Sequence, residues 1–341
     1  MTAPLIVRPL EPTDHSSLFA FYRANLGTGE RVAQYFEWRE RDPASGGNRP
    51  FAAWYDGALL GTVNVVPWTL AGGGHEFSVC WQQDSIVSAA ARGKGVGKAL
   101  VNAAAAGWPL VLAKGTSAAM YALRKSAGFV DLPNATYLTR ALRPFATGGT
   151  WRRRLGTPLL SFRNLFHRLP PPSRPLHLRE LSTFGPSYDA LAARLVGGQR
   201  MAPRKGASYL HWRYLGCPTR QYRILEAVDG EEPLGAAILR LPSGPPDVAW
   251  LVDLIGDLDD ADVVVTLLSG ALRSARAAGA SLIRTFATSQ RAREFLGRAG
   301  FVDSAETPRF TIRVGLPTWT LGPDRIDWNF WHGDGDAELY Q

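Results

Sequence analysis

Cysteine is scarce: Cys80 and Cys217 are the only two among 341 residues. Two thiols make no disulfide framework, which fits a reducing, cytoplasmic compartment. Long apolar runs are missing as well. No stretch of about 18 apolar residues occurs, so the sequence offers no membrane-spanning helix. The opening MTAPLIVRPLEPTDHSS has no charged start followed by a long apolar core and does not read as a signal peptide. Acidic residues and lysine vanish from one segment, 141–179, which holds eight arginines and no Asp, Glu or Lys. Outside it the chain carries 30 basic and 30 acidic residues, so this one segment supplies the whole net charge of +8. A basic excess confined to one stretch does not describe folded domains, and no nucleic-acid partner is expected from it.

What is present is ordinary globular composition, 45% hydrophobic and 20% charged, in a chain long enough for two domains. Three short patterns recur in the same order. Val7-Arg8-Pro9-Leu10 is matched by Leu178-Arg179-Glu180-Leu181. Tyr35-Phe36-Glu37-Trp38-Arg39 is matched by Tyr209-Leu210-His211-Trp212-Arg213. Ala127-Gly128-Phe129-Val130-Asp131 returns as Ala299-Gly300-Phe301-Val302-Asp303. Their offsets are 171, 174 and 172 positions, the signature of one unit written twice. Hydrophobic patterning gives each half the same succession of strands and helices. The expected fold class is therefore α/β, an α+β sandwich, as two tandem domains of mixed, mostly antiparallel sheet flanked by helices. The expected bounds are 1–143 and 176–323, joined by a basic, Pro-rich linker over 144–175 and followed by an aromatic and polar tail over 324–341. Within the linker, Leu159, Phe162, Phe166 and Leu169 share one helical face. That helix either packs across the domains or lies on an anionic membrane. The tail's Asp327, Asp334 and Asp336 match no metal-loop spacing, and no metal is expected. Trp38-Arg39 and Trp212-Arg213 suggest a core tryptophan beside an arginine paired at the surface.

The chemistry sits in Asp84-Ser-Ile-Val-Ser-Ala-Ala-Ala-Arg92-Gly93-Lys94-Gly95-Val96-Gly97-Lys98, where a strand ends, glycines turn and a helix begins. Such a turn lets backbone N–H groups converge on an anion, with the helix N-terminus adding positive potential. Arg92, Lys94 and Lys98 add charge. A nucleoside-triphosphate loop would need Gly at 92 and Ser or Thr at 99. A dinucleotide fingerprint would need Gly at 98. Both fail. The alternative is a glycine turn that binds nothing.

The stretch resembles the coenzyme A loop of the GNAT superfamily of N-acyltransferases, [RQ]-x-x-G-x-[GA], met here by Arg92-Gly93-Lys94-Gly95-Val96-Gly97. Val87-x-Ala89-x-x-Arg92 follows the family's V-x-P-x-x-R with Ala for Pro, and Gly128-Phe129 matches its downstream G-F. The resemblance covers about 1–143 and, more weakly, 176–316. It implies that acetyl-CoA or another acyl-CoA is the co-substrate. The backbone at Ile86 and Val87 would pair with the pantetheine arm, and the N–H groups of 93–98 would hold the pyrophosphate. Thr116 and Ser117 would either contact the pantetheine or cap the next helix. Many members carry a tyrosine acid four residues before the Gly of G-F, and here that position is Arg124. Tyr121, one turn earlier on the same face, is the substitute acid or a packed tyrosine. Asp84 is the first candidate for base or acceptor-binding carboxylate, against a strand-end Asp bonded to backbone. In the second half the loop position reads Asp257-Leu-Asp259-Asp260-Ala-Asp262, four carboxylates that would repel a pyrophosphate. The expected activity is acyl transfer, acetyl first, to the amine of a small metabolite by direct attack. A longer-chain or aminoacyl transferase and a non-catalytic acyl-CoA-binding scaffold are the alternatives.

Overall fold

The computed structural model describes residues 4–27, 29–40, 47–143, 167, 169–198, 200–244, 247–315 and 325–335. Val-, Phe- and Trp-rich stretches form Ile6–Pro9 (β1), Phe51–Tyr55 (β2), Ala58–Gly72 (β3) and His75–Val87 (β4). Asp56 and Gly57 turn β2 into β3 with φ of 48° and 73°, a conformation Asp-Gly tolerates in a tight hairpin. The helices His15–Asn25 (α1) and Gly29–Glu40 (α2) precede β2, and Val96–Ala105 (α3) and Ala118–Ser126 (α4) alternate with Leu110–Ala113 (β5) and Val130–Asp131 (β6). The later strands are Tyr137–Ala141 (β7), His177–Glu180 (β8), Ala202–Pro203 (β9), Arg223–Asp229 (β10), Glu232–Arg240 (β11), Val248–Gly256 (β12), Leu282–Phe286 (β13), Val302–Asp303 (β14) and Thr311–Val314 (β15).

The duplication appears as two sheets of one plan. The first runs β1-β2-β3-β4-β5-β15-β6 and the second β8-β10-β11-β12-β13-β7-β14. In each, a central parallel pair is flanked by antiparallel neighbours: β4 with β5, and β12 with β13. The sixth place of each sheet is filled by the strand one would assign to the other half. β15 pairs with β5 and β6, and β7 pairs with β13 and β14. Two compact units follow from this. One comprises Met1–Leu70, Phe77–Leu132 and Arg309–Arg325, the other Ala71–Glu76, Pro133–Pro308 and Ile326–Gln341. They differ from the contiguous spans 1–143 and 176–323 because each sheet completes itself with a strand from beyond its own span. The linker residues 144–166, and with them Leu159, Phe162 and Phe166, lie outside the described residues, as does Asp336.

The first unit's core joins α3 to its sheet, with Leu100, Val101 and Ala104 against Val63, Val65, Cys80 and Val111. In the second, the helix Ala261–Ala277 lays Val264, Leu268, Ala271 and Ala275 on Leu225, Ala237, Leu239, Ala249 and Leu251. Apolar residues at helical spacing meet alternate strand residues, which leaves the opposite sheet face for other work.

Candidate active site

In the first unit the parallel pair β4–β5 is registered only at Cys80↔Val111 and Trp81↔Leu112. Beyond Trp81, β4 continues to Val87 while β5 ends at Ala113. Asp84 lies in this unpaired length with φ of 45°, a left-handed residue inside a strand. Such a kink breaks the ladder and re-aims the residues after it.

The loop after β4 takes a turn of 3-10 helix at Ala89–Ala91, and Gly93 and Gly95 then adopt φ of 76° and 81°. A Cβ at either glycine would meet nothing within 4 Å, so these positions are glycine for backbone conformation and not for crowding. Gly97 differs: a Cβ there would come within 2.8 Å of Leu123 Cδ1. It lets the start of α3 lie against α4. Gly95 is the N-cap of α3 and has no side chain to cap with. The first-turn N–H groups of Val96, Gly97 and Lys98 therefore point outward without an intrahelical acceptor, as an anion site requires. Arg92 folds back, its Nε donating to Val87 O at 3.3 Å. Across the gap, Ser117 caps α4, its Oγ accepting from Met120 N at 3.2 Å. Thr116 Oγ1 is buried and finds no hydrogen-bond partner among the described residues. A buried hydroxyl in want of a partner suits the polar amides of a ligand chain, as the uncapped helix end suits an anionic group.

Asp84 is not an isolated carboxylate. Its Oδ2 accepts from Arg39 Nη1 at 2.5 Å and from Asn64 Nδ2 at 3.0 Å, and the two ionic side chains are 7% and 2% exposed. Asn64 Oδ1 in turn accepts from Asn48 Nδ2 at 3.0 Å and from the Tyr22 hydroxyl at 3.4 Å. Burial, and next the charge of Asp84, push the Tyr22 hydroxyl's pKa up, so Tyr22 stays a neutral donor. The expectation of a surface arginine beside Trp38 is corrected here. Arg39 is buried because its counter-charge sits in the kink of β4. Arg213, its counterpart, is buried too and donates to Gly333 O at 3.0 Å and to the Tyr222 hydroxyl at 3.3 Å.

Tyr121 and Arg124 diverge. The Tyr121 hydroxyl donates to Asp131 at 2.8 Å, and that bond, followed by burial, raises its pKa. Arg124 is the group that reaches β4: its Nη2 donates to Ser85 Oγ at 3.0 Å and to Gln82 O at 3.4 Å, with the side chain 1% exposed. The sequence flagged position 124 only as a departure from a pattern; the cation it delivers to the parted strand was not anticipated.

The second unit is closed where the first is open. β12 and β13 are registered only at 248–250 with 282–284. The chain's own 328–333 segment fills the space beyond. Gly333 N donates to Val252 O at 2.7 Å, Thr288 N donates to Phe330 O at 3.1 Å, and Ala287 bridges Trp331. Trp328, Phe330 and Trp331 are buried there. The glycine loop is replaced by Asp257–Asp260. Asp260 caps the following helix through Oδ1, accepting from Asp262 N at 3.1 Å and Val263 N at 3.2 Å. Arg200 grips Asp259 with two bonds of 2.8 Å, and Arg174 reaches Asp260 at 2.5 Å. The helix end left without a side-chain cap in one copy is capped by Asp260 in the other. At the place of Asp84 stands Asp253, bonded by Lys205 Nζ and the Tyr214 hydroxyl at 2.6 Å each, with Asp334 2.8 Å from the same ammonium.

Comparison with known proteins agrees with this geometry. Residues 15–107 match the sequence model of the "Acetyltransferase (GNAT) family". No curated protein matches the chain by sequence. Among solved structures, a GCN5-related N-acetyltransferase from Anabaena variabilis is similar over 91% of this chain and 73% of its own, with TM-score 0.64 and 12% identity. A probable N-acyltransferase from Enterococcus faecalis gives 91% and 73%, TM-score 0.62 and 12% identity. Saccharomyces cerevisiae N-myristoyltransferase with bound myristoyl-CoA gives 96% and 90%, TM-score 0.53 and 12% identity. Residues 15–107 thus match a GNAT family model, and these solved structures share the chain's fold over nine tenths of its length.

Proposed function

We propose that the chain transfers an acyl group from an acyl-CoA, acetyl-CoA foremost, to the amine of a small molecule by direct attack while both substrates are bound. The observation that carries this reading is the uncapped N-terminus of α3, placed by two left-handed glycines at the end of a strand that has parted from its neighbour. The N–H groups of 93–98, with Lys94 and Lys98, receive the pyrophosphate. The edge of β4 beyond its pairing with β5, at Ile86 and Val87, and the Thr116 hydroxyl receive the pantetheine, which would displace the Arg92 side chain from Val87 O. Acyl transfer then needs an amine positioned at the thioester and stabilisation of the negative charge that passes from the carbonyl oxygen to the departing thiolate. A coenzyme A thiol resembles a cysteine thiol, with a pKa of about 8.5, so a nearby cation serves the leaving group as well as a proton donor does. Arg124, held against β4, supplies that cation. Tyr121, held by Asp131, is the second candidate for the acid. Asp84, neutralised by Arg39, keeps β4 kinked and orients the acceptor's side of the gap; a role as base would have to act from within that ion pair.

A longer acyl chain is the second reading, supported by the similarity to a myristoyl-CoA-bound enzyme that shares the fold. Isothermal titration with acetyl-CoA and desulfo-CoA, in wild type and Gly97→Trp, tests the proposal. Binding of one equivalent, lost in the variant, supports it, and myristoyl-CoA displacement ranks the chain lengths. Absence of binding in the wild type would sink the reading and leave a scaffold that kept the fold without the chemistry.

A further inference from the structure

The second unit carries a cleft of about 1240 Å³, lined from one sheet face and from the 215–223 segment. That is larger than the about 300–1,000 Å³ of ordinary small-molecule sites. Its floor is one register row. Arg240 of β11 is directly opposite Trp250 of β12, and Trp250 is directly opposite Arg284 of β13. The two guanidinium groups flank one indole, 5.5 Å and 4.9 Å from its centroid. Arg284 also lies 5.2 Å from the Tyr137 ring, and His332 stacks on Trp250 at 4.2 Å. The far wall adds Arg220 and Arg223. Among the described residues the lining sets two carboxylates against these four arginines: Glu306, bonded to Arg284 at 2.6 Å, and Glu180, bonded to Arg223 at 3.3 Å.

Trp250 is buried, but this row lies off the face that packs on the helix. Ala249 and Leu251, the neighbours of Trp250 in β12, face the helix Ala261–Ala277, so the row belongs to the opposite face. Two cations drawn to one ring repel each other, and cation–π attraction is by itself a weak reason to place both there. Planar guanidinium forks held apart by a rigid ring on a sheet are, however, prearranged for bidentate contact with carboxylate or phosphate oxygens. We infer that this cleft binds a small molecule bearing two or more phosphate or carboxylate groups. Its residues all belong to the second unit, and the inference does not depend on the acyl-transfer reading.

The test titrates inorganic pyrophosphate, and separately citrate, into the full chain presaturated with desulfo-CoA, at fixed low ionic strength. One equivalent should bind the wild type. Arg220→Gln combined with Arg240→Gln should weaken binding at least tenfold, and Glu306→Gln, which removes a carboxylate from the lining, should tighten it several-fold. Thermal melting confirms that each variant is folded. Preference for pyrophosphate or for citrate separates phosphate from carboxylate recognition. Failure of both anions to bind the wild type, equal binding by the double arginine variant, or no gain in Glu306→Gln would each overturn the inference. If desulfo-CoA itself does not bind, the acyl-transfer reading falls. The anion titration is then run on Gly97→Trp, whose loop is obstructed, and is decided there on its own.

Discussion

Arg39 Nη1 and Asp84 Oδ2 meet at 2.5 Å across 45 positions of sequence, joining α2 to the kink of β4 in a pocket that solvent barely reaches. Removing one member of a buried ion pair leaves the other without compensation, at a cost of about 3–5 kcal/mol. Arg39→Met should lose that much in urea denaturation. Asp84→Asn should lose less, because Asn keeps an acceptor for Arg39 and tolerates a left-handed backbone. Asp84→Val should be the worst of the three, since a β-branched residue is strained at φ of 45°. A loss under about 1 kcal/mol for Arg39→Met, against the about 3–5 expected, would mean the pair is hydrated in solution.

The glycine loop makes a graded prediction. Gly95→Ala asks Ala to hold φ of 81°, at about 1–2 kcal/mol, and points its methyl into open space. Binding of desulfo-CoA should weaken about tenfold as that strain shifts the loop, by about 1.4 kcal/mol per decade. Gly97→Ala keeps an ordinary backbone but drives its methyl to 2.8 Å from Leu123 Cδ1, so it should lower the melting temperature before it affects affinity. Equal effects of the two on binding would contradict this division.

Arg124 is tested by changing its charge while keeping its length. Arg124→Met should reduce kcat for acyl transfer about 10²-fold or more, the scale on which single charge-stabilising donors act. It should leave KM for acyl-CoA within a few-fold. Arg124→Lys should restore part of kcat. Tyr121→Phe, by contrast, removes only a donor to Asp131 under this reading and should retain most activity. Steady-state kinetics with thiol release as the readout decide between the two; a larger loss from Tyr121→Phe would return the acid to the tyrosine.

Much of this was legible in the residues, for identifiable reasons. The glycine loop and the duplication are local patterns, and local patterns survive in sequence. The place of β7 and β15 is not local. Tyr137-Leu-Thr-Arg-Ala and Phe310-Thr-Ile-Arg-Val are short strands of similar alternation, and either would fit the sixth place of either sheet. Only pairing over more than 140 residues, such as Ile283 with Arg140, decides which sheet each joins. The burial of Arg39 was hidden for the same reason: its partner is remote, and an arginine reads as surface until the partner is known. The 328–333 segment reads in sequence only as part of an aromatic and polar tail, because its lodging between two parted strands depends on tertiary pairing alone.

Lys205 predicts a pH response. Burial by itself pulls its ammonium pKa down, and the carboxylates of Asp253 and Asp334 outweigh that and hold it above the usual lysine value. A raised pKa in the folded state means the stabilisation is fully present below the unfolded value of about 10.4 and is lost as pH rises through the folded one. The melting temperature should therefore fall above about pH 10.4 in the wild type. Lys205→Met should lack that step and start about 3–5 kcal/mol lower at neutral pH, because Asp253 and Asp334 are left facing each other unpaired. A wild-type curve that is flat to the same alkaline limit as the variant would refute the assignment.

Thr288 ties the 328–333 segment into the second unit. Its Oγ1 donates to Trp328 O at 2.6 Å and accepts from Phe330 N at 2.9 Å, while its own N–H reaches Phe330 O. Thr288→Val preserves shape and strips both hydroxyl bonds, leaving a buried amide and a buried carbonyl unsatisfied at about 1–3 kcal/mol each. Trp331→Ala removes a buried indole at about 3–5 kcal/mol. Hydrogen exchange should then quicken at Gly333, whose amide is bonded to Val252 O, before it quickens in the first unit. Neither substitution should create a second acyl-CoA site. Parting the strands is not sufficient when the helix that follows is already capped by Asp260 and its loop is held by Arg174 and Arg200. Two equivalents of desulfo-CoA bound by Trp331→Ala would show that the 328–333 segment, and not the acidic loop, is what keeps the second copy from binding.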